Sequence, residues 1–330
     1  MSSILMNAAV MNKYGSANVI KFEEVAIPEP RQNWVLVKVL ASTATRADTM
    51  MRTGKPWFGR LVLGLTKPKN KITGTGFAGK IVSAGSNVTK FKVGESVFGE
   101  STNVFSANAQ YLAISEDSVM LKKPDELSYE EAATFTDGHL TSLNFLKNVA
   151  KLERGKKILI NGASGSLGTS AVQLAKYMGA EVTGVCSSRN KGLVKSLGAD
   201  YVIDYTQDNY TDWDEKYDVV YDTVGKSNFA EAKKVLKSNG VYMSPVLKLP
   251  LLFQMLTSSI FGGKKAKFQA TGMKKEGELL ELMQELVTIY KKGKLKTVID
   301  RQFPLEKVAQ AHAYIDTGHK KGNVIINIEH

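Results

Sequence analysis

Residues 156–179, KKILINGASGSLGTSAVQLAKYMG, constrain the fold more than any other stretch of the chain. The first part, KKILING, is a short strand-like run. Three glycines follow at three-residue spacing, Gly162, Gly165 and Gly168. The last part carries apolar residues at 167, 171, 174, 175 and 178, the spacing of a helix with one buried face, and Gly179 stops it. A strand that passes through a glycine loop into a helix opens a β-α-β unit. Such units repeat downstream. AEVTGVC, ADYVIDY, YDVVYDTVG and VYMSPV read as strands, and RNKGLVKSLG and AEAKKVLKSNG as helices. The repetition predicts an α/β fold with a mostly parallel, doubly wound sheet.

In that context the loop reads as a phosphate cradle, Ala163-x-Gly165-x-x-Gly168, with Gly162 just ahead. Gly165 lets the backbone approach a pyrophosphate, and Gly168 lets the helix lie against the sheet. The helix start offers unpaired N–H groups and a positive dipole end, and Ser164 and Ser166 add hydroxyl donors. The alternative is a glycine turn that holds no ligand. A site for NAD carries an acidic residue at the end of the second strand, about 20 residues on, to bond the ribose hydroxyls. No Asp or Glu occurs from Val182 through Lys195, and Glu181 lies at the wrong end of that strand. Ser187, Ser188, Arg189 and Lys191 instead make a cationic, hydroxyl-rich pocket suited to a 2′-phosphate, which favours NADPH over NADH. The alternative for Arg189 and Lys191 is the solvated start of a helix.

Residues 1–123 are expected to form a β-rich, barrel-like unit, from runs such as WVLVKVLAS (34–42) and GKIVSAGSNVTKFKVGESVFGE. The pattern changes at Pro124. Ser128 stands three residues before Glu131 as a capping box, and 124–262 form the nucleotide-binding domain. From 263 to 330 a strand (KFQATGM), two helices and a last strand (GNVIINI) follow, and returning strands would complete the first domain. The net charge of +12 favours anionic partners, but no block of five or six like charges occurs, so no nucleic-acid arm is expected. The single cysteine, Cys186, excludes disulfides within the chain and a cysteine-rich zinc lobe. The start, MSSILMNAAVMNKYGS, lacks the pattern of a signal peptide. The longest apolar stretch, Leu247 to Phe261, is interrupted by Lys248, Pro250 and Gln254, so no membrane insertion is expected. A cytoplasmic protein is the expectation.

The chain resembles the medium-chain dehydrogenase/reductase superfamily, most of all its zinc-free quinone oxidoreductase branch. The blocks that carry the resemblance are GKIVSAGSNVTKFKVGESVFG, LSYEEAATF, ILINGASGSLGTSAVQLAKYMGAEVTGVCSS, LGADYVIDY and YDVVYDTVG. The resemblance implies a GroES-like catalytic domain built from both ends of the chain, a Rossmann domain between them, an active site in the cleft, and a homodimer. It implies pyrophosphate at Ser164 to Leu167, so at Ser164, Gly165, Ser166 and Leu167. Ser187, Lys191 and Tyr205 would surround the 2′-phosphate, with Tyr205 equally readable as a packing tyrosine. Thr223 would lie near the adenosine, Ser244, Ala270 and Thr271 on the nicotinamide side, and Lys320 would close the site.

Zinc-dependent relatives use a cysteine and a glycine-histidine-glutamate element. The matching element here is GTGFAG (74–79), no cysteine precedes Cys186, and His139, His312, His319 and His330 have no ligand spacing, so no zinc and no other metal are expected. Two departures from quinone-reductase relatives stand out. Thr45 replaces an asparagine, although Asp48 is kept, and Gly76 replaces an acidic residue. Without a Lewis acid, reduction of an activated acceptor is easier than alcohol oxidation. The expected activity is therefore NADPH-dependent reduction of quinones or α,β-unsaturated carbonyls. Thr45 would bond the substrate carbonyl or the nicotinamide ribose. Asp48 would orient that loop or simply cap a helix. Trp57, Phe58 and Leu61 would wall the substrate or sit in the core. Two other classes compete: a non-enzymatic NADPH-binding sensor or RNA or membrane partner, and an NAD(P)-dependent alcohol dehydrogenase. Leu247 to Phe261 is expected to line the substrate cleft or a dimer face.

Overall fold

The structure is a computed structural model that describes residues 4–101, 105–261 and 263–330. The chain divides into two compact units. One comprises Met1–Asp137, Gly272–Gln284 and Ile299–His330, and the other Gly138–Thr271 and Glu285–Val298.

The first unit begins with an antiparallel hairpin of β1 (Leu5–Met11) and β2 (Ile20–Ala26). Strand β3 (Trp34–Ala44) follows, two residues longer than the apolar run that predicts it. Nearly every β3 position is buried, because the strand lies inside a sheet whose inner face packs Val35, Val37, Phe77, Val97 and Leu112. Helix α1 (Arg46–Thr53) and the short α2 (Arg60–Leu63) precede β4 (Gly76–Ala84), β5 (Ser96–Glu100), β6 (Tyr111–Ser115) and β7 (Val119–Lys122). The capping box at Ser128 forms at the start of α3 (Tyr129–Ala133): Glu131 N–H donates to Ser128 Oγ at 3.1 Å, and Ser128 N–H donates to Glu131 Oε2 at 3.1 Å.

The second unit holds α4 (Gly138–Asn144), β8 (Lys157–Asn161), α5 (Ser166–Tyr177), β9 (Glu181–Cys186), α6 (Lys191–Ser196), β10 (Tyr201–Asp204), β11 (Tyr217–Asp222), α7 (Phe229–Ala232), β12 (Leu236–Met243), α8 (Leu249–Phe261) and β13 (Lys265–Lys267). Its strands are all parallel, in the order β10-β9-β8-β11-β12-β13. That is the doubly wound order 3-2-1-4-5-6, with its reversal beside β8, where ligands dock in such sheets. A stacked pair, Phe145 and Tyr221, fills the space beside β11 with ring centroids 5.2 Å apart.

Two sequence expectations are corrected here. AEAKKVLKSNG is helical only over Phe229–Ala232, and β12 already starts at Leu236, whose buried side chain is aligned with Tyr217 on β11. Tertiary pairing overrides a modest helical pattern in this segment. KFQATGM pairs only over Lys265–Lys267, and Thr271–Met273 form one helical turn.

Helix α9 (Glu276–Lys291) contributes its first part, to Gln284, to the first unit and the remainder to the second. The chain then returns to the first unit through β14 (Ile299–Pro304), α10 (Val308–Asp316) and β15 (Asn323–Asn327). Strand β15 pairs antiparallel with β3, from Val324 opposite Ala44 to Asn327 opposite Ala41, so the last residues complete the first sheet.

Helix α10 is tied to α1 by an unusual ion pair. Arg52 is 1% exposed, and its Nη2 donates to Asp316 Oδ2 at 2.6 Å. His312, buried one turn before Asp316, stays neutral, its pKa pushed down to about 3 by burial and then by the Arg52 charge. Only the arginine is buried, since the Asp316 side chain is 37% exposed, so loss of Asp316 leaves an uncompensated buried guanidinium, whereas loss of Arg52 leaves a carboxylate open to water and 3.6 Å from Arg46. Asp316→Ala is expected to lower stability by about 3 kcal/mol. Arg52→Met should be close to neutral, and urea unfolding of both variants distinguishes the two effects.

Candidate active site

In the second unit the glycine loop joins β8 to α5. Gly165 is the N-cap of α5 and provides no side-chain cap, so the helix start is left open to an anion. A Cβ on Gly165 would meet only the Gly162 carbonyl oxygen, at 3.5 Å, and the space beside the loop is clear. Gly168 is different. A Cβ there would lie 2.1 Å from the Gly162 oxygen and 2.6 Å from the Ala163 Cα, so the helix rests directly on the loop backbone. Ser166 is buried at the head of the helix, and Leu167 follows it half-buried.

The serines at the two strand ends are linked by a residue that sequence reasoning missed. Asn190 is buried, and its Nδ2 donates to Ser164 Oγ at 3.0 Å and to Ser187 Oγ at 3.3 Å. An asparagine inside a polar run carries no signal of its own, so only the tertiary contact reveals it. Arg189, Lys191 and Tyr205 are exposed around this point, and Tyr205 N–H donates to the Cys186 carbonyl at 3.1 Å. The exposure of Tyr205 removes the reading of a buried packing residue.

The absence of an acid at the end of β9 is not the whole electrostatic picture. Asp204, buried at the end of β10, accepts from Ser188 Oγ, from Thr206 Oγ1 at 2.7 Å and from Thr206 N–H at 3.0 Å. These bonds hold its carboxyl below the usual range, and the Lys191 charge acts in the same direction. Asp204 is therefore an ionised group whose bonding capacity is largely taken up by hydroxyls. The remaining cofactor candidates of this unit are tied to backbone or buried. Thr223 Oγ1 donates to the Asn161 carbonyl at 2.8 Å. Ser244 Oγ accepts from Val246 N–H at 3.2 Å, Thr271 Oγ1 accepts from Asn144 Nδ2 at 3.0 Å, and Ala270 is half-buried beside it. Lys320 belongs to the first unit, where its Nζ donates to the Gly322 carbonyl at 2.9 Å and burial pulls its pKa down.

In the first unit, α1 starts at a complete capping box. Thr45 Oγ1 accepts from Asp48 N–H at 3.0 Å, and Asp48 Oδ2 accepts from Thr45 N–H at 2.8 Å and from Thr45 Oγ1 at 2.7 Å. The Thr45 hydroxyl proton is thus already used. In this arrangement Thr45 orients Asp48. The other carboxyl oxygen, Asp48 Oδ1, is buried without a hydrogen-bond partner among the described residues. Asp48 also lines a cavity of about 280 Å3 whose walls include Met11, Met51, Val62, Leu63 and Ile72. Burial pushes its pKa up to about 7, against the two Thr45 bonds and with help from the Asp137 charge.

A second carboxyl escaped sequence reasoning. Glu100 ends β5 and lies opposite Gly76 in the register of β4 and β5. Burial, then the Asp137 and Asp48 charges, push its pKa up to about 8. Gly76 has a steric cause: a Cβ there would meet Thr136 Oγ1 at 2.5 Å, Thr43 Oγ1 at 2.8 Å and the Ala133 carbonyl at 3.0 Å. An acidic side chain at 76 would clash in this packing, and Glu100 is the residue opposite on the neighbouring strand. Trp57 (72% exposed) and Leu61 (65% exposed) are not core residues, which corrects that alternative. Phe58 meets Trp57 edge to face at 6.3 Å, and none of the three lines the 280 Å3 cavity. The larger cavity of this unit, about 670 Å3, lies elsewhere, beside Arg46, Arg52, Lys55 and Arg60.

The donor set does not suit a metal. Among the described residues no three His, Cys, Asp or Glu side chains converge on one point. His139 and His312 are buried helix residues, and His139 Nδ1 lies 2.7 Å from Ser170 Oγ. Burial pushes the Cys186 thiol up to about 11. No described helix is long and apolar enough to cross a membrane.

The raised Glu100 pKa has a testable consequence for stability. The folded state binds this proton more tightly than the unfolded chain does, so its stabilisation is complete below pH 4.5 and lost as pH rises through about 8. Glu100→Gln keeps the shape without the charge. Relative to the parent, its urea midpoint is expected to rise progressively between pH 5 and pH 8.5. A constant difference across that range would show that the carboxyl is not perturbed.

Comparison with known proteins agrees with this architecture. A family described as "Alcohol dehydrogenase GroES-like domain" matches residues 31–127, and one described as "Zinc-binding dehydrogenase" matches residues 197–326. The 2-methylene-furan-3-one reductase of Solanum lycopersicum is 34% identical over 336 residues, covering 98% of this chain and 79% of that protein. The chloroplastic NADPH-dependent alkenal/one oxidoreductase of Arabidopsis thaliana is 31% identical over 333 residues, covering 97% and 79%. The solved quinone oxidoreductase of Coxiella burnetii superposes with a TM-score of 0.87 at 27% identity, covering 99% of this chain and 100% of that one. With the parallel sheet, the glycine loop and the returning C-terminal strands, these matches establish that the chain belongs to the medium-chain dehydrogenase/reductase superfamily, among its quinone oxidoreductases and enone reductases.

Proposed function

We propose that the protein is an NADPH-dependent reductase of quinones or α,β-unsaturated carbonyl compounds that works without zinc. Residues 124–262 serve as the cofactor side, and 1–123 with 263–330 as the substrate side. The observation that carries the reading is the uncapped start of α5 with Arg189 and Lys191 exposed at the end of the neighbouring strand. That arrangement suits a pyrophosphate and a 2′-phosphate together. The printed names of the relatives, an NADPH-dependent alkenal/one oxidoreductase and a quinone oxidoreductase, agree with it.

When bound, NADPH supplies a hydride to the acceptor carbon. The chain's own residues do the rest. Ser164, Ser187 and Asn190 hold the two strand ends in one hydrogen-bonded set, which keeps the phosphate-facing backbone in place. The apolar part of the cavity beside Asp48, from Met11, Met51, Leu63 and Ile72, suits an uncharged substrate. Thr45 holds Asp48 Oδ2 as an acceptor, so the proton of the neutral carboxyl resides on Oδ1 of a residue that lines the cavity. Asp48 is the proposed donor of the proton that balances the hydride, giving a quinol or a saturated carbonyl compound. Burial, and after it the Asp137 charge, disfavour loss of that proton. The lack of a converging donor set among the described residues, with GTGFAG (74–79) free of histidine and glutamate, supports hydride transfer without zinc.

NADPH oxidation at 340 nm with a quinone and with an enal tests the activity. Turnover of neither by protein that binds NADPH would overturn the proposal. Arg189→Ala with Lys191→Ala is expected to weaken NADPH at least about tenfold, near 1.4 kcal/mol, and to leave NADH unchanged. Asp48 must be protonated to act, so kcat is expected to fall as pH rises through about 7. Asp48→Asn should lower kcat roughly a hundredfold or more and abolish that pH dependence, with NADPH affinity retained.

A further inference from the structure

Helix α8 is anchored on one side only. Leu251 and Ser258 are buried, Met255 packs against the core of the second unit, and Ser258 Oγ accepts from Ala266 N–H at 3.1 Å. The opposite side carries Leu249, Leu252, Phe253, Leu256 and Ile260, each between 42% and 68% exposed. At 3.6 residues per turn these five positions fall within roughly 100° of the helix circumference, a continuous stripe about 17 Å long. The helix itself contains no charged residue. A single exposed leucine is ordinary, but five large apolar side chains in one stripe mark a contact surface.

The charge around the stripe identifies what it contacts. From Ala232 through Thr271 the chain has no Asp or Glu and seven lysines. Lys248 immediately precedes the helix and is exposed. At the other end Lys264 Nζ donates to the Lys233 carbonyl at 2.5 Å, which brings Lys233, Lys264 and the exposed Lys265 together. An apolar helix face with cations at both ends matches the boundary of an anionic bilayer, where the acyl region takes the side chains and the headgroups take the ammonium groups. A second copy of the chain fits less well. A two-fold contact through an antiparallel pair of such helices would set Lys248 against the partner's basic end, and like charges would repel.

We propose that α8 docks the protein on an anionic lipid surface, lying in the interface without crossing it. The experiment is flotation of the full chain with vesicles of phosphatidylcholine alone and with vesicles enriched in phosphatidylglycerol. Binding is expected to the anionic vesicles, with weakening in high salt as the headgroup attraction is screened. Phe253→Asp with Leu256→Asp should reduce it roughly tenfold or more at an unchanged thermal unfolding midpoint. Lys248→Glu with Lys265→Glu, an exposed pair that leaves the stripe intact, should reduce binding to anionic vesicles as well. Three results would overturn the proposal: no binding to anionic vesicles, equal binding by the parent and both variants, or a parent dimer in gel filtration that the Phe253 and Leu256 changes convert to monomer.

Discussion

The nucleotide half of the molecule depends on one close approach, that of α5 to the Gly162 carbonyl. Only a residue without a Cβ permits it, and Gly168 is that residue. The contact aims the open helix start along the end of β8, at the reversal of strand order. Beside it lie the bond from Thr223 to Asn161 and the bridge from Asn190 to Ser164 and Ser187. A helix displaced by one methyl group would move its dipole and its amides together, so the packing of a glycine and the binding of an anion are one constraint.

The first unit is organised by a different force, the cost of placing carboxylates in an apolar enclosure. Burial raises Asp48 and Glu100 into the neutral range, and the Asp137 charge adds to both shifts. A protonated carboxyl can donate a hydrogen bond or a proton where an ionised one cannot. Gly76 belongs to the same arrangement. Thr43, Ala133 and Thr136 crowd that position, and Glu100 stands opposite it on the neighbouring strand.

Much of the fold was legible in local pattern. The strand, glycine loop and helix around Gly165, the Ser128 capping box and the returning β15 each rest on a few neighbouring residues or on alternation within a strand. The pattern failed where pairing partners decide. KSNGVYM is a strand because β11 accepts it along one edge, although AEAKKVLKSNG has helical spacing. Of the site, the phosphate loop and the basic pocket were readable because glycine spacing and missing acids are one-dimensional facts. Asn190, Asp204 and Glu100 were not, since nothing beside them in sequence distinguishes them from ordinary polar residues.

By itself, the amino-acid sequence determined the parallel β-α-β architecture, the anion-binding loop and the family, because backbone conformation and periodicity are set over a few residues. Tertiary structure alone decided that Thr45 serves Asp48, that the acid near position 76 stands on the next strand, and that five apolar side chains of α8 face outward. These are questions of burial and of distance between residues far apart in the chain. A carboxyl's affinity for its proton, and a leucine's exposure, belong to the surroundings that folding creates rather than to the residue.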